Sequence, residues 1–263
     1  MLIAQLGFSY FAIEGVTVPS DTHDNREQAA PREAAVEEIR REYARRTDRF
    51  DQFADARHRD DHRIWCRTMA SYQQMLDRCG LLPLGARDVL DVGCGRMEWL
   101  EKCRNDWGHD VSARLAGLDL MADRIEEGRR RHPDFQLECG SADALPWPDE
   151  SFDLVHQSML LTSVLDEPLR RGIISEMIRV TRPGGHVLWY DFVWNPVNRA
   201  ARGIGLRELK SCFADWTVSD RRRVTMPPPL SRPLGRLFPP LVSAIEAVRV
   251  LNLWELVLLR KPN

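Results

Sequence analysis

Three acids and a pair of glycines carry most of the chemistry legible in these 263 residues. The run Val89-Leu90-Asp91-Val92-Gly93-Cys94-Gly95 is an apolar strand pattern that ends in a glycine turn at the mouth of a helical segment. Glycines there let the backbone bend tightly and let a ligand approach it with no side chain between, while the helix start offers unpaired amide donors. That suits a nucleotide-type ligand, although a Gly-x-Gly pair in isolation is also an ordinary turn. The next acid, Asp119, closes Gly117-Leu118-Asp119-Leu120 at about the separation where a strand-tip carboxylate accepts ribose hydroxyls. The competing reading is an aspartate that caps the helix beginning near Met121. The third segment, Gly140-Ser141-Ala142-Asp143-Ala144-Leu145-Pro146, offers the Asp143 carboxylate to an exocyclic amine and the Ala144 amide to a ring nitrogen. Those contacts suit adenine, and a plain turn aspartate is the alternative for Asp143.

These residues need strands to present them. From Asp88 onward short apolar runs alternate with helical periodicity, the pattern of βαβ units around a parallel sheet. It predicts strands over 88–92, 113–118, 135–139, 152–157 and 186–192, with helices over 98–105, 121–131 and 169–180 between them. Arg182-Pro183-Gly184-Gly185 reads as a turn before the fifth strand. Further on, a helix over 206–213, a strand over 217–225, an apolar helix over 241–251 and a final strand over 253–259 are predicted. The prolines at 227–229 and 239–240 exclude regular structure from the piece before that last helix, because each lacks an amide donor. Ahead of the sheet, apolar residues recur at Val36, Ile39, Tyr43, Phe50 and Phe53, then at Ile64, Trp65, Met69, Tyr72 and Leu76, the spacing of two helices with buried faces. The chain therefore divides into an N-terminal segment of undecided order (1–34), a helical cap (35–82) and an α/β domain (83–263) with an insertion at 226–251.

With 39 acidic and 37 basic side chains, a net charge of −2 and 43% hydrophobic residues, the composition is that of a globular protein, with no general attraction to polyanions. Nucleic acid is not the expected partner. The six cysteines form no C-x-x-C pair, so neither a metal site nor a disulfide framework is expected and a reducing, cytoplasmic setting fits. The apolar start is interrupted by Glu14 before spanning length, so stable membrane insertion is not expected.

Taken together, DVLDVGCG, GLDL, GSADALPWPDESFDLV and SEMIRVTRPGGHVLWYDF, in this order and spacing, resemble the class I S-adenosylmethionine-dependent methyltransferases. The likeness covers roughly 88–193 and is strongest to the small-molecule branch that includes the ubiquinone and menaquinone biosynthesis enzymes. It implies a Rossmann-like α/β fold: a seven-stranded, mostly parallel sheet with an antiparallel last strand, and S-adenosylmethionine lying across the strand ends. Carried over by position, Asp91, Gly93, Cys94 and Gly95 surround the methionine moiety, Asp119 and Leu120 meet the ribose, and Met121 packs on adenine. Asp143 and Ala144 meet the adenine edge, and Gln157 lies near the cofactor at the end of the fourth strand. The chain departs from the family in two places: Met97 stands where a third glycine is usual, and the segment after the fourth strand, Met159 to Val164, lacks a histidine often found there. The missing third glycine also argues against a dinucleotide oxidoreductase.

Methyl transfer needs alignment above all; a general base adds to it if the acceptor is a hydroxyl. Candidate bases are the polar residues at the strand tips, Asp191 on the fifth strand and His156 on the fourth. His156 and Gln157 must face opposite sides of the sheet. A packed histidine and a loop or capping carboxylate are the bland alternatives. Arg221-Arg222-Arg223 reads as a solvated strand face or edge before it reads as an anion site. The apolar insertion suits a wall over a hydrophobic acceptor or a contact with a second copy of the chain. The reading is thus a methyltransferase acting on a small organic molecule or glycan precursor, at oxygen.

Overall fold

The computed structural model describes residues 32–44, 54–193, 202–224, 242, 245 and 252–263. Seven strands form one sheet in the order β3-β2-β1-β4-β5-β7-β6: β1 Val89–Val92, β2 Leu115–Asp119, β3 Gln136–Cys139, β4 Phe152–Ser158, β5 Thr181–Phe192, β6 Thr217–Val224 and β7 Trp254–Arg260. β1 to β5 run parallel, and β7 lies antiparallel between β5 and β6. The Rossmann-like α/β fold expected from the sequence is the one observed. β1 pairs with both β2 and β4, so the strand order reverses there and opens a crevice beyond their C-terminal ends.

The central strands are buried on both faces, as parallel strands flanked by helices must be. Residue parity sorts their side chains. Val89, Leu115, Leu154, Leu188 and Leu256 pack toward α2 (Ala54–Arg78), α3 (Glu98–Asn105) and α4 (Ala122–Arg131). Leu90, Leu118, Val155, Val187 and Val257 pack toward α5 (Glu167–Val180) and α6 (Leu206–Cys212). Residues 32–44 form a further helix, α1, whose Val36 and Ile39 join the second group.

Two local features differ from expectation. β5 begins at Thr181 rather than near 186, so Arg182-Pro183-Gly184-Gly185 lies within its span; the register against β4 shifts between Phe152 and Leu154, and Gly184 takes a φ of 71°. Met97, in place of a third glycine, adopts the left-handed conformation (φ 66°) at the start of α3 and is buried. Its side chain runs beneath α4: a Cβ added at Gly128 would come within 2.4 Å of the Met97 sulfur. A glycine in the middle of a helix normally costs about 1 kcal/mol, and here it makes room for the methionine. The predicted helix at 241–251 and the insertion at 226–251 fall outside the described residues, apart from positions 242 and 245.

Candidate functional site

A cavity of about 280 Å³ opens at the reversal of strand order, near the lower end of the size range of small-molecule sites. Gly93 of the β1 turn, Leu118 to Met121 at the end of β2 and Gly140 to Ala142 after β3 form one side. Ser158 at the end of β4 and Met159 and Leu160 beyond it, with Leu169 and Ile173 of α5, form another. Val36, Ile39 and Tyr43 of α1 roof it.

Asp119 is the buried acid of this wall. Its Oδ2 accepts from the Gly95 amide at 2.9 Å and its Oδ1 from the Met121 amide at 2.9 Å, while an Arg124 guanidinium nitrogen stands 3.8 Å away. Asp119 ties the glycine turn to Met121 and still faces the cavity; it does not cap α4, whose N-cap is Met121 with no side-chain cap hydrogen bond. A carboxylate has about four lone-pair sites, so two amides leave acceptor capacity for hydroxyls. The Arg124 guanidinium lies 5.5 Å from the Tyr43 ring centroid, which links the roof to this acid. Gly93 sits at φ 78°, and a Cβ there would stand 3.3 Å from a Leu160 methyl, crowding the cavity that both residues line.

The remaining sequence-predicted residues surround the cavity without lining it. Gly95 contributes its amide to Asp119. The Cys94 side chain is buried against Gly117 under β2, and burial pushes its thiol pKa up. Asp143 is held by the Arg32 guanidinium of α1 and by the Ser141 hydroxyl; against the upward push of burial, these donors keep its carboxyl below the usual carboxylate range. The Ala144 amide donates to the Ser141 carbonyl at 3.1 Å. Gln157 is buried on the α5 side, where its Oε1 accepts from the Leu160 amide at 3.3 Å and so shapes the cavity wall from behind.

Asp91 and His156 lie on the opposite face, with Asp91 Oδ1 2.7 Å from His156 Nδ1. His156 and Gln157 thus point to opposite sides of the sheet, as strand alternation requires. Asp191 corrects the expectation of a base poised over the cofactor. It lies behind the cavity wall, accepting from Thr162 Oγ1 at 2.6 Å, the Thr162 amide at 3.2 Å and the Phe192 amide at 3.0 Å. Burial pushes its pKa up to about 7 against the pull of those donors. The physical reason is its place on β5, which aims it at the 3₁₀ turn Leu161–Ser163 rather than at the crevice. Arg221 and Arg223 lie on edge strand β6 and face the buried Glu255, and Arg222 turns the other way to Asp220 and Gln74. All three arginines are therefore paired within the protein.

Among the wall residues that the sequence reading missed are Arg124, Ser158, Met159 and Leu160. Met159 carries the one signal that was overlooked: it follows a strand tip, and its left-handed φ of 58° marks a sharp turn there.

A doubly wound sheet with an acid-lined cavity at its switch point defines a nucleotide-cofactor domain. Comparison with known proteins narrows the class: residues 89–185 match the methyltransferase domain family. The chain is 40% identical over 118 residues to a demethylmenaquinone methyltransferase of Renibacterium salmoninarum, covering 45% of this chain and 46% of that one. It is 33% identical over 147 residues to a 27-O-demethylrifamycin SV methyltransferase of Amycolatopsis mediterranei, covering 51% and 52%. It spans about half the length of the curated relatives it matches. Among solved structures, an S-adenosylmethionine-dependent methyltransferase from Mesorhizobium loti superposes with a TM-score of 0.52 at 18% identity, over 70% of this chain and 95% of that one. The [4+2]-cyclase SpnF superposes at 0.53 and 18%, over 72% and 80%. Residues 89–185 are thus similar to S-adenosylmethionine-dependent methyltransferase domains, and the chain is similar to quinone-biosynthesis methyltransferases. The site fits that cofactor: apolar Leu118, Leu120 and Met121 suit a purine, the spare capacity of Asp119 suits a vicinal diol, and Gly93 leaves the loop bare. Among the described residues no helix is long and apolar enough to cross a membrane.

Proposed function

We propose that this chain transfers a methyl group from S-adenosylmethionine to an oxygen of a small organic molecule or glycan precursor by in-line displacement. The observation that carries the proposal is the cavity at the reversal of strand order, with Asp119 on its wall and a side-chain-free turn at Gly93. Bound there, the cofactor supplies an electrophilic methyl group.

What the chain contributes is position and shelter. Asp119 would hold the ribose, Leu118, Leu120 and Met121 would clasp the purine, and α1 would exclude water from above through Val36, Ile39 and Tyr43. Holding the reacting groups in line can lower a barrier by as much as about 7 to 11 kcal/mol. Of the two candidate bases, His156 is the one assigned a part in proton removal, and Asp191 the anchoring of the cavity's rear wall. Asp91 then acts through His156 rather than on the methionine moiety. The relatives that methylate demethylmenaquinone and 27-O-demethylrifamycin SV support a small-molecule acceptor.

The experiment is transfer of labelled methyl from S-adenosylmethionine to a panel of phenols, sugars and quinone precursors. A labelled methyl ether is the expected product. Cofactor binding with no labelled product from any acceptor would favour the alternative, a cofactor-binding protein without methyl transfer, for which the structural likeness to a cyclase gives precedent.

A further inference from the structure

A chain of buried polar groups runs from the cavity into the α2–α3 side of the sheet. His156 Nδ1 is 2.7 Å from Asp91 Oδ1, and His156 Nε2 is 3.0 Å from the Tyr72 hydroxyl of α2. The Ser158 side chain acts on the Tyr72 hydroxyl from the cavity side, and Ser158 lines the cavity. Trp99 of α3 stacks on the imidazole with centroids 3.9 Å apart and planes 10° from parallel, which fixes the ring. The surroundings are apolar: Met75, Leu76, Leu100, Leu154 and Leu188.

Burying such groups costs free energy that well-packed apolar side chains would spare, so stability alone is a poor reason for the chain. Its direction is set at both ends. Of the two imidazole tautomers, the one with hydrogen on Nδ1 donates to Asp91 Oδ1 and leaves Nε2 as an acceptor. Burial pushes the Tyr72 hydroxyl pKa well above its ordinary value, so it keeps its proton and donates to Nε2.

We propose that Ser158, Tyr72 and His156 form a proton path that takes the acceptor's hydroxyl proton away from the cavity toward Asp91. The proposal rests on the methyl-transfer reading. As the acceptor oxygen bonds to the methyl carbon, the carbon–sulfur bond breaks and its electron pair stays on sulfur. The acceptor's proton passes to Ser158 Oγ, the serine's to Tyr72, and the tyrosine's to His156 Nε2, leaving an imidazolium beside the Asp91 carboxylate. The proton returns to solvent by the same path after product leaves. Ser158 is the catalytic residue of this path, and Tyr72, His156 and Asp91 act through it. Four other groups bear on the imidazole: Tyr190 from β5, whose ring lies 5.7 Å from that of Tyr72; Cys103 from α3, raised by burial beside Asp91; Asp191 behind the sheet, whose charge reaches Tyr72; and the uncharged Trp99.

Nitrogen-15 NMR of the full chain with S-adenosylhomocysteine reads the tautomer without any acceptor: hydrogen on Nδ1 of His156 is expected, and hydrogen on Nε2 would overturn the path. Rates with the labelled-methyl panel complete the test. Tyr72→Phe is expected to lower kcat by about 10²-fold or more, the scale of general-base help, with S-adenosylhomocysteine affinity within about twofold of wild type. Unchanged kcat in Tyr72→Phe, or kcat and cofactor affinity falling together, would show a merely structural chain. If the wild-type protein binds S-adenosylhomocysteine yet labels nothing, the methyl-transfer reading fails and the path falls with it. Turnover by the wild type with Tyr72→Phe unaffected sinks the path alone.

Discussion

Asp119 and Asp191 both stand at the C-terminal tip of a buried strand, and both accept two backbone amides, yet they do different work. Asp119 spends part of its acceptor capacity on Gly95 and Met121 and turns the rest toward the cavity. Asp191 adds the Thr162 hydroxyl to its amide donors and lies behind the wall, closing β5 onto the turn that carries Leu160. One acid faces the cavity and the other belongs to the frame. A strand tip is therefore not enough to mark a chemical role; the strand and the face from which a side chain projects decide what it can reach.

The contrast breaks first at Asp191. Replacing it with Ala leaves the Thr162 hydroxyl and amide and the Phe192 amide buried without their acceptor, with an expected loss of about 3 kcal/mol of stability. Denaturant unfolding measures this, and the affinity for S-adenosylhomocysteine should stay unchanged. The same residue gives a pH signature. Its folded pKa, about 7, lies above the ordinary aspartate value of 3.8, so its contribution to stability is full below pH about 4 and is lost as pH rises through about 7. Melting curves of Asp191→Asn should lose that slope, and a retained slope would place its origin elsewhere.

A smaller effect tests the loop that sets Asp119. Gly128→Ala gains helix propensity but forces the added methyl onto the Met97 sulfur and a Leu137 methyl. The expected net loss is about 1 kcal/mol, overpacking outweighing propensity. Adding Met97→Ala should recover part of it in the same unfolding assay, because the two positions touch. The smallest effect belongs to Arg32→Ala. Its ion pair with Asp143 is about half exposed on the arginine side, so stability should change by less than about 1 kcal/mol.

Much of this architecture was legible because its signals are local. The helix at 98–105 was read with its observed bounds, β1 and β3 to within a residue, and the order of glycine turn and acids placed the cavity. Asp191 misled because β5 is buried on both faces, so no polar–apolar alternation told which side of the sheet its tip would face. Tyr72 is buried as its helical spacing predicts, but its polar contact was not legible. It falls on the apolar stripe of α2 and reads as core, and its partner His156 lies 84 residues away with no local mark of the pairing. Met97 read only as a departure from the usual third glycine, since nothing near it in sequence announces the space that Gly128 provides on the next helix.

The central claim is that the cavity beside Asp119 holds an adenosyl group. Calorimetric titration of S-adenosylhomocysteine into wild type, Asp119→Ala and Asp191→Asn tests it in one series. One site per chain is expected, weakened by about 1 to 3 kcal/mol in Asp119→Ala and unaltered in Asp191→Asn. No binding to wild type at millimolar ligand, or equal affinity in wild type and Asp119→Ala, would contradict it.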